Sequence, residues 1–299
     1  MTRSWTRCCA GSRPADRPRP AGGGPGSGGT APTGRSFPGV RCRRARADRD
    51  DLQHPPWLGD GRPSRPGADR PAHRRERPAV VGLQEVDRHW SRRSGFADQP
   101  SWLAGELGKH VVYGVNVEAE PSRPGEPRRQ YGTAIVARDP IVEWDNTPLP
   151  RSGRGEQRRL LRARIVVDGV PLTVYNTHLQ FGGRGERLAQ AKEILRLLAG
   201  TEEPFVLMGD VNATPRRAAA RVLTGMLSDA WAQAGRGRGH TFPSGRPRRR
   251  IDYVFTSASV VVRRAAVVTS EPAASDHLPV VAEIVVGGEE SESAGRSEL

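Results

Sequence analysis

The chain has 299 residues and a formal charge of +14. It is long enough for one or two domains with a buried core, and it has no run of about 18 apolar residues that would make a transmembrane helix. All three cysteines, Cys8, Cys9 and Cys42, precede residue 43, so the remainder holds neither a disulfide nor a cysteine-based zinc site.

The charge is uneven. Residues 1–77 hold 17 Arg against 7 acidic residues, which is +10 of the +14. Only Lys109 and Lys192 are lysines among 47 basic residues. With abundant Gly, Ala and Pro, that bias fits GC-rich coding better than selection for a polyanion partner. The segment 1–77 reads as low complexity. Stretches such as Gly22-Gly23-Gly24-Pro25-Gly26 cannot bury enough apolar surface to offset chain entropy. The basic start, Met1 to Ala10, lacks the apolar core of a signal peptide.

Order is expected from Pro78. Ala79-Val80-Val81-Gly82-Leu83 reads as a buried strand, Ser101 to Leu107 as a helix, and Tyr131 to Ala137 as a second strand. Leu160 to Val167 and Pro171 to Thr177 form a hairpin around Asp168-Gly169. Helical spacing runs from Arg187 to Leu198. Phe205 to Met208 is a further buried strand, and late strands follow at Ile251 to Phe255, Val260 to Val268 and Val280 to Val286. Residues 287–299 read as an acidic, disordered tail. The expected class is α/β, layered around mixed sheets.

Polar residues cluster at the ends of these strands. Gln84-Glu85 follows Leu83. Asp210 and Asn212 follow Met208 and sit two apart, on one face of an extended chain. Asn176 and His178 end another strand. Asp252 lies within Ile251-Asp252-Tyr253, and Asp276-His277 precedes Leu278-Pro279-Val280. Hard oxygen donors of this kind suit Mg²⁺. Phosphoryl transfer needs a metal, an oriented water and donors for developing charge.

The ordered set Leu83-Gln84-Glu85-Val86, Tyr131-Gly132-Thr133-Ala134, Asn176-Thr177-His178-Leu179, Gly209-Asp210-Val211-Asn212, Arg250-Ile251-Asp252-Tyr253 and Ser275-Asp276-His277-Leu278-Pro279 resembles the endonuclease/exonuclease/phosphatase superfamily. That superfamily includes exonuclease III-like, deoxyribonuclease I-like and sphingomyelinase-like enzymes. The resemblance implies a sandwich of two mixed β-sheets flanked by helices, over residues 78–286. It implies a Mg²⁺-dependent hydrolase of phosphate esters, most simply a phosphodiesterase, with Mn²⁺ as an alternative ion. Glu85 and Asp276 would lie at the metal. Asp210 would position the water, Asn212 and His178 would contact phosphate, and Asp252 would orient His277. Tyr175, Asn176 and Arg250 are candidate substrate contacts.

One element of the resemblance is absent. The superfamily's first strand carries a motif like Thr-x-Asn-Ile, and no such motif precedes Glu85. Asp51-Leu52-Gln53-His54-Pro55-Pro56-Trp57 stands there instead, and adjacent prolines do not suit a central strand. Those residues admit a coding string that, read one base later, spells Thr-Tyr-Asn-Ile-His-His. A shifted reading frame over this segment therefore accounts for the lost motif. Two other function classes follow from the same sequence: a non-catalytic family member, and an Arg-rich nucleic-acid binder using residues 1–77. The partner is a phosphate ester, nucleic acid included, and a membrane only as a lipid substrate. As written the chain reads as cytoplasmic; a shifted N-terminus would leave secretion open.

Overall fold

The computed structural model describes residues 39–42 and 78–286, except 154, 271 and 273. The string 51–57, the tail 287–299 and most of the segment 1–77 lie outside the described residues.

Two six-stranded mixed sheets form the body. The chain supplies β1 (Gly39–Cys42), β2 (Val80–Arg88), α1 (Gln99–Leu107), β3 (His110–Ala119), β4 (Arg129–Ala137), β5 (Ile141–Pro148), β6 (Arg159–Val167) and β7 (Val170–His178). It continues with α2 (Arg184–Leu198), β8 (Phe205–Asp210), α3 (Ala218–Thr224), β9 (Ser228–Asp229), α4 (Ala230–Ala234), β10 (Asp252–Thr256), β11 (Val260–Val267) and β12 (Val280–Val286). The first sheet has the order β11-β12-β1-β2-β4-β3, the second β5-β6-β7-β8-β10-β9. The pairs β1/β12 and β7/β8 are parallel and the other pairs antiparallel. Among the described residues no helix is long and apolar enough to cross a membrane.

Alternation along each strand builds the layers. Val80, Ile135, Ala163, Val174, Val206, Met208 and Val254 meet in one buried cluster between the sheets. The residues between them, Tyr175, Leu207, Tyr253 and Phe255, face outward and pack under α2 and α3 with Ile194, Leu198 and Leu223. On the first sheet Leu83, Val86, Ala134 and Val136 are covered by Leu103 and Leu107 of α1. The result is helix, sheet, sheet, helix, as the resemblance implied.

Four residues of the segment expected to contribute no element are strand. Gly39–Cys42 lies between β12 and β2, paired with Val281–Ile284 in parallel and with Val80 and Val81 in antiparallel register. The superfamily's first strand was expected at 51–57, which lies outside the described residues; Gly39-Val40-Arg41-Cys42 carries no Asn.

Candidate active site

Strand register builds the site. His178 at the end of β7 pairs with Asp210 at the end of β8, and Asp210 pairs with Asp252 at the start of β10. Three polar residues therefore stand on one rung across three neighbouring strands. All share parity with Met208, Val174 and Val254, so they point to the inter-sheet side, beyond the last apolar layer. His178, Asp210 and Asp252 are all buried.

Gly209 permits this close approach of β8 to β7, because a Cβ there would lie 2.3 Å from the Thr177 carbonyl oxygen. Beyond β8, Asn212 takes a left-handed φ of 52°, and its amide N–H donates to Asp210 Oδ1 at 2.7 Å. Asn212 Nδ2 donates to the Leu179 carbonyl at 2.9 Å. The turn thus brings Asn212 back beside the end of β7.

His277 closes the rung from the loop before β12. Its Nδ1 lies 2.9 Å from Asp252 Oδ2, and its Nε2 lies 4.0 Å from Asp210 Oδ2. His178 Nε2 is 3.5 Å from the same Asp210 oxygen. The loop is fixed by Leu278 N–H donating to Thr241 O at 2.8 Å and Ser244 N–H donating to Asp276 O at 2.8 Å. The Phe242 ring covers His277 at a centroid distance of 4.7 Å.

The electrostatics follow from that crowding. Burial, then the neighbouring Asp252 carboxylate, push the Asp210 carboxyl up to about 7, while His277 and the Asn212 amide pull against them. For His277, burial pulls downward. The hydrogen bond and charge of Asp252, with the charges of Asp210 and Asp276, outweigh it and lift the ring to about 9. Burial thus favours the neutral form of Asp210, while the facing carboxylates favour the cationic form of His277.

Glu85 sits on a β-bulge. Between the pairs Leu83↔Ala134 and Val86↔Gly132, Gln84 and Glu85 together oppose Thr133, and Glu85 has a left-handed φ of 57°. A non-glycine residue held there marks a strained position of the kind kept at functional sites. Among the described residues one group of three ligand-type atoms falls within 4.8 Å, from Asp210, Asp252 and His277. Glu85 and Asp276, the two residues expected at the metal, are outside that group. Glu85 is half-buried, and Asp276 is exposed next to His277.

Three expected substrate contacts are placed elsewhere. Asn176 is fully buried; it accepts from Gln84 Nε2 at 2.7 Å and donates to the carbonyls of Leu83 and Ala134 at 2.8 and 2.9 Å. It ties one sheet to the other, and Gly82 makes room for it, since a Cβ there would meet Asn176 Oδ1 at 2.9 Å. Tyr175 points to the outer face, with its hydroxyl 2.6 Å from Thr201 Oγ1. It lines a cavity of about 510 Å³ that shares no residue with the His178–Asp210–Asp252 rung. Arg250 is buried in a bidentate pair with Asp229 at 2.9 and 2.7 Å, its guanidinium over the Tyr253 ring.

Arg158 was not singled out by the sequence. It is buried at the head of β6, with Nε donating to Gln180 Oε1 at 3.1 Å, and its charge acts on Asp210. Its neighbours Arg159, Arg162 and Arg164 make it one Arg among many in the sequence, and only the fold distinguishes it.

With this geometry in place, the sequence profile of the endonuclease/exonuclease/phosphatase family matches residues 42–277, starting at the last residue of β1. The chain belongs to that family. An endonuclease/exonuclease/phosphatase from Beutenbergia cavernae is 28% identical, with a TM-score of 0.58 over 71% of this chain and 63% of that one. The chain thus spans less than two thirds of that relative. A mannosyl-6-phosphatase from Bacteroides thetaiotaomicron is 20% identical, with a TM-score of 0.56 over 69% of this chain and 85% of that one. The human Nocturnin catalytic domain is 22% identical, with a TM-score of 0.52 over 67% and 78%. These two likenesses show the fold. No curated protein matches the chain in sequence.

Proposed function

We propose that this domain hydrolyses phosphate esters, phosphodiesters foremost, with Mg²⁺ or Mn²⁺ as its cofactor. The observation that carries the reading is the rung His178–Asp210–Asp252 closed by His277, which gathers two carboxylates and two imidazoles at adjoining strand ends.

The residues fit a hard divalent cation. Their donors include carboxylate oxygens, which suit such an ion. Glu85 and Asp276 would hold the ion, with the carboxylates of the rung beside it. Bound there, it would neutralise charge on the phosphoryl oxygens and acidify a water.

The chain's own residues supply the remaining chemistry. Asp210 orients a water for in-line attack and takes its proton. Asp252 fixes the His277 ring through Nδ1, so that Nε2 is turned toward Asp210 and the cleft. His277, cationic at neutral pH, donates to an oxygen of the phosphoryl centre. His178 and the Asn212 amide stabilise the charge that develops there.

Hydrolysis of a chromogenic phosphodiester by the purified chain, with Mg²⁺ and with EDTA, tests the reading. EDTA should abolish turnover. His277→Ala and Glu85→Gln should each reduce it by about 10²–10⁴-fold while the circular dichroism spectrum is retained. Turnover indifferent to EDTA would remove the metal, and a His277→Ala rate equal to wild type would remove the assignment of the acid.

A further inference from the structure

Beside the catalytic strand ends lies a surface that the reaction above does not use. Three residues beyond His178, Phe181 exposes 73% of its area, although it is a large apolar side chain. Its loop is pinned. Arg187 Nη1 donates to the carbonyls of Gln180 and Phe181 at 2.6 and 2.8 Å, and the Gln180 N–H donates to Gln190 Oε1 at 3.0 Å. The ring is therefore held out to solvent by a fixed backbone.

Cations flank its loop. Arg184 opens α2 and is exposed, Arg187 is one turn further along, and exposed Arg217 precedes α3, which packs against α2. Among the described residues none of the three has a salt-bridge partner. Arg187 is held below its ordinary value first by burial and then by the charges of Arg184 and Arg217, whereas Asp210 pulls it upward. Arg184 and Arg187 thus bracket the first turn of α2, and Arg217 stands at the head of the helix packed against it.

A cationic strip with an aromatic face beside a phosphoesterase centre matches one chemistry well. Phosphates need the cations and an unpaired base needs the ring. We infer that Phe181, Arg184, Arg187 and Arg217 form a subsite for single-stranded nucleic acid, with a base stacked on Phe181 and flanking phosphates on the three guanidiniums; as a substrate subsite, this rests on the phosphoesterase reading. An anionic membrane is the other surface with this charge. A single ring offers it little apolar area, and the amphipathic faces that bind membranes present several.

The test is binding of a fluorescein-labelled single-stranded oligothymidylate, followed by anisotropy in EDTA over a salt series. The wild type should bind with a steep salt dependence. Phe181→Ala should weaken binding about tenfold at unchanged salt slope, the scale of one lost base stack, and Phe181→Trp should restore it. Arg184→Ala with Arg217→Ala should lower the slope by about 1.4, at about 0.7 per phosphate contact on a single strand. For Arg184→Ala alone, Arg264→Ala, exposed on β11 of the other sheet, is the charge-matched control. Equal losses from Arg264→Ala and Arg184→Ala would overturn the subsite, as would an affinity indifferent to Phe181. Sedimentation with phosphatidylserine vesicles, without binding of the oligonucleotide, would overturn it in favour of a lipid surface. Because EDTA blocks turnover in this assay, its failure is separable from failure of the chromogenic assay. Hydrolysis without Phe181-dependent binding leaves the enzyme and removes the subsite, and binding without hydrolysis does the reverse.

Discussion

Replacing Asn176 by Ala tests whether this residue holds the sheets together or holds substrate. Asn176 has no exposed area, and its amide meets three partners, Gln84 Nε2, the Leu83 carbonyl and the Ala134 carbonyl, at 2.7–2.9 Å. Alanine leaves all three in place with nothing to bond. A buried donor or acceptor left without its partner costs about 1–3 kcal/mol. Gln84 already has a buried Oε1 lacking a partner, so its amide has little scope to re-pair. Allowing for water entering the space left by the side chain, the expected loss is about 3–5 kcal/mol. Asn176→Asp should be at least as damaging, because it aims a carboxylate at two carbonyl oxygens. The assay is urea unfolding followed by circular dichroism, with kcat/KM measured on protein that remains folded. A cost below about 1 kcal/mol, joined to a large loss of kcat/KM, would refute the tie and restore Asn176 to the substrate.

The Arg250–Asp229 pair gives a similar separation: Arg250→Met strands a buried carboxylate and should cost about 3–5 kcal/mol. Adding Asp229→Asn, which removes that charge and keeps an acceptor for the Trp231 N–H, should recover part of it in the same unfolding assay, and no recovery would count against the pair. The His277 ring, lifted to about 9 from 6.5, contributes stability that is complete below 6.5 and lost as pH rises through 9. EDTA-treated protein should therefore lose on the order of 3 kcal/mol across that window, and Asp252→Asn should flatten the profile; a flat wild-type profile would contradict the dyad.

Much of the fold was legible because its central strands are apolar runs. Phe205 to Met208 is buried on both faces, and Val80 to Leu83 nearly so, so their composition alone marks them; Val280 to Val286 instead buries alternate residues, the pattern of a strand covered on one face. The elements that escaped notice have physical reasons. In β3 the buried positions include Gly114 and Asn116, which blunt the alternation. In β5, an edge strand, Val142 and Trp144 face solvent at 57% and 51% exposure, so the apolar residues mark no core. Helices of seven and five residues, α3 and α4, are too short to show a period.

The convergence of four of the expected site residues follows from the same alternation. His178, Asp210, Asp252 and His277 are strand-end or loop residues whose parity agrees with the inter-sheet core. Tyr175 has the opposite parity and faces α2. Asn176 has the right parity but stands one step too deep, where the other sheet meets it. Arg250 is consumed by Asp229, a residue 21 positions earlier that no local pattern connects to it.

The rung of His178, Asp210 and Asp252 carries a consequence for how the protein acquires its activity. The alignment that seats Met208 among Val174 and Val254 is the alignment that aims Asp210. A one-residue slip of β8 would turn Met208 out of the core and Asp210 onto the α2 side at the same moment. Chains that fold do so with the rung complete, and chains that misalign lose the interior as well. Selection for a well-packed interior is thus also selection for the strand register that aims Asp210.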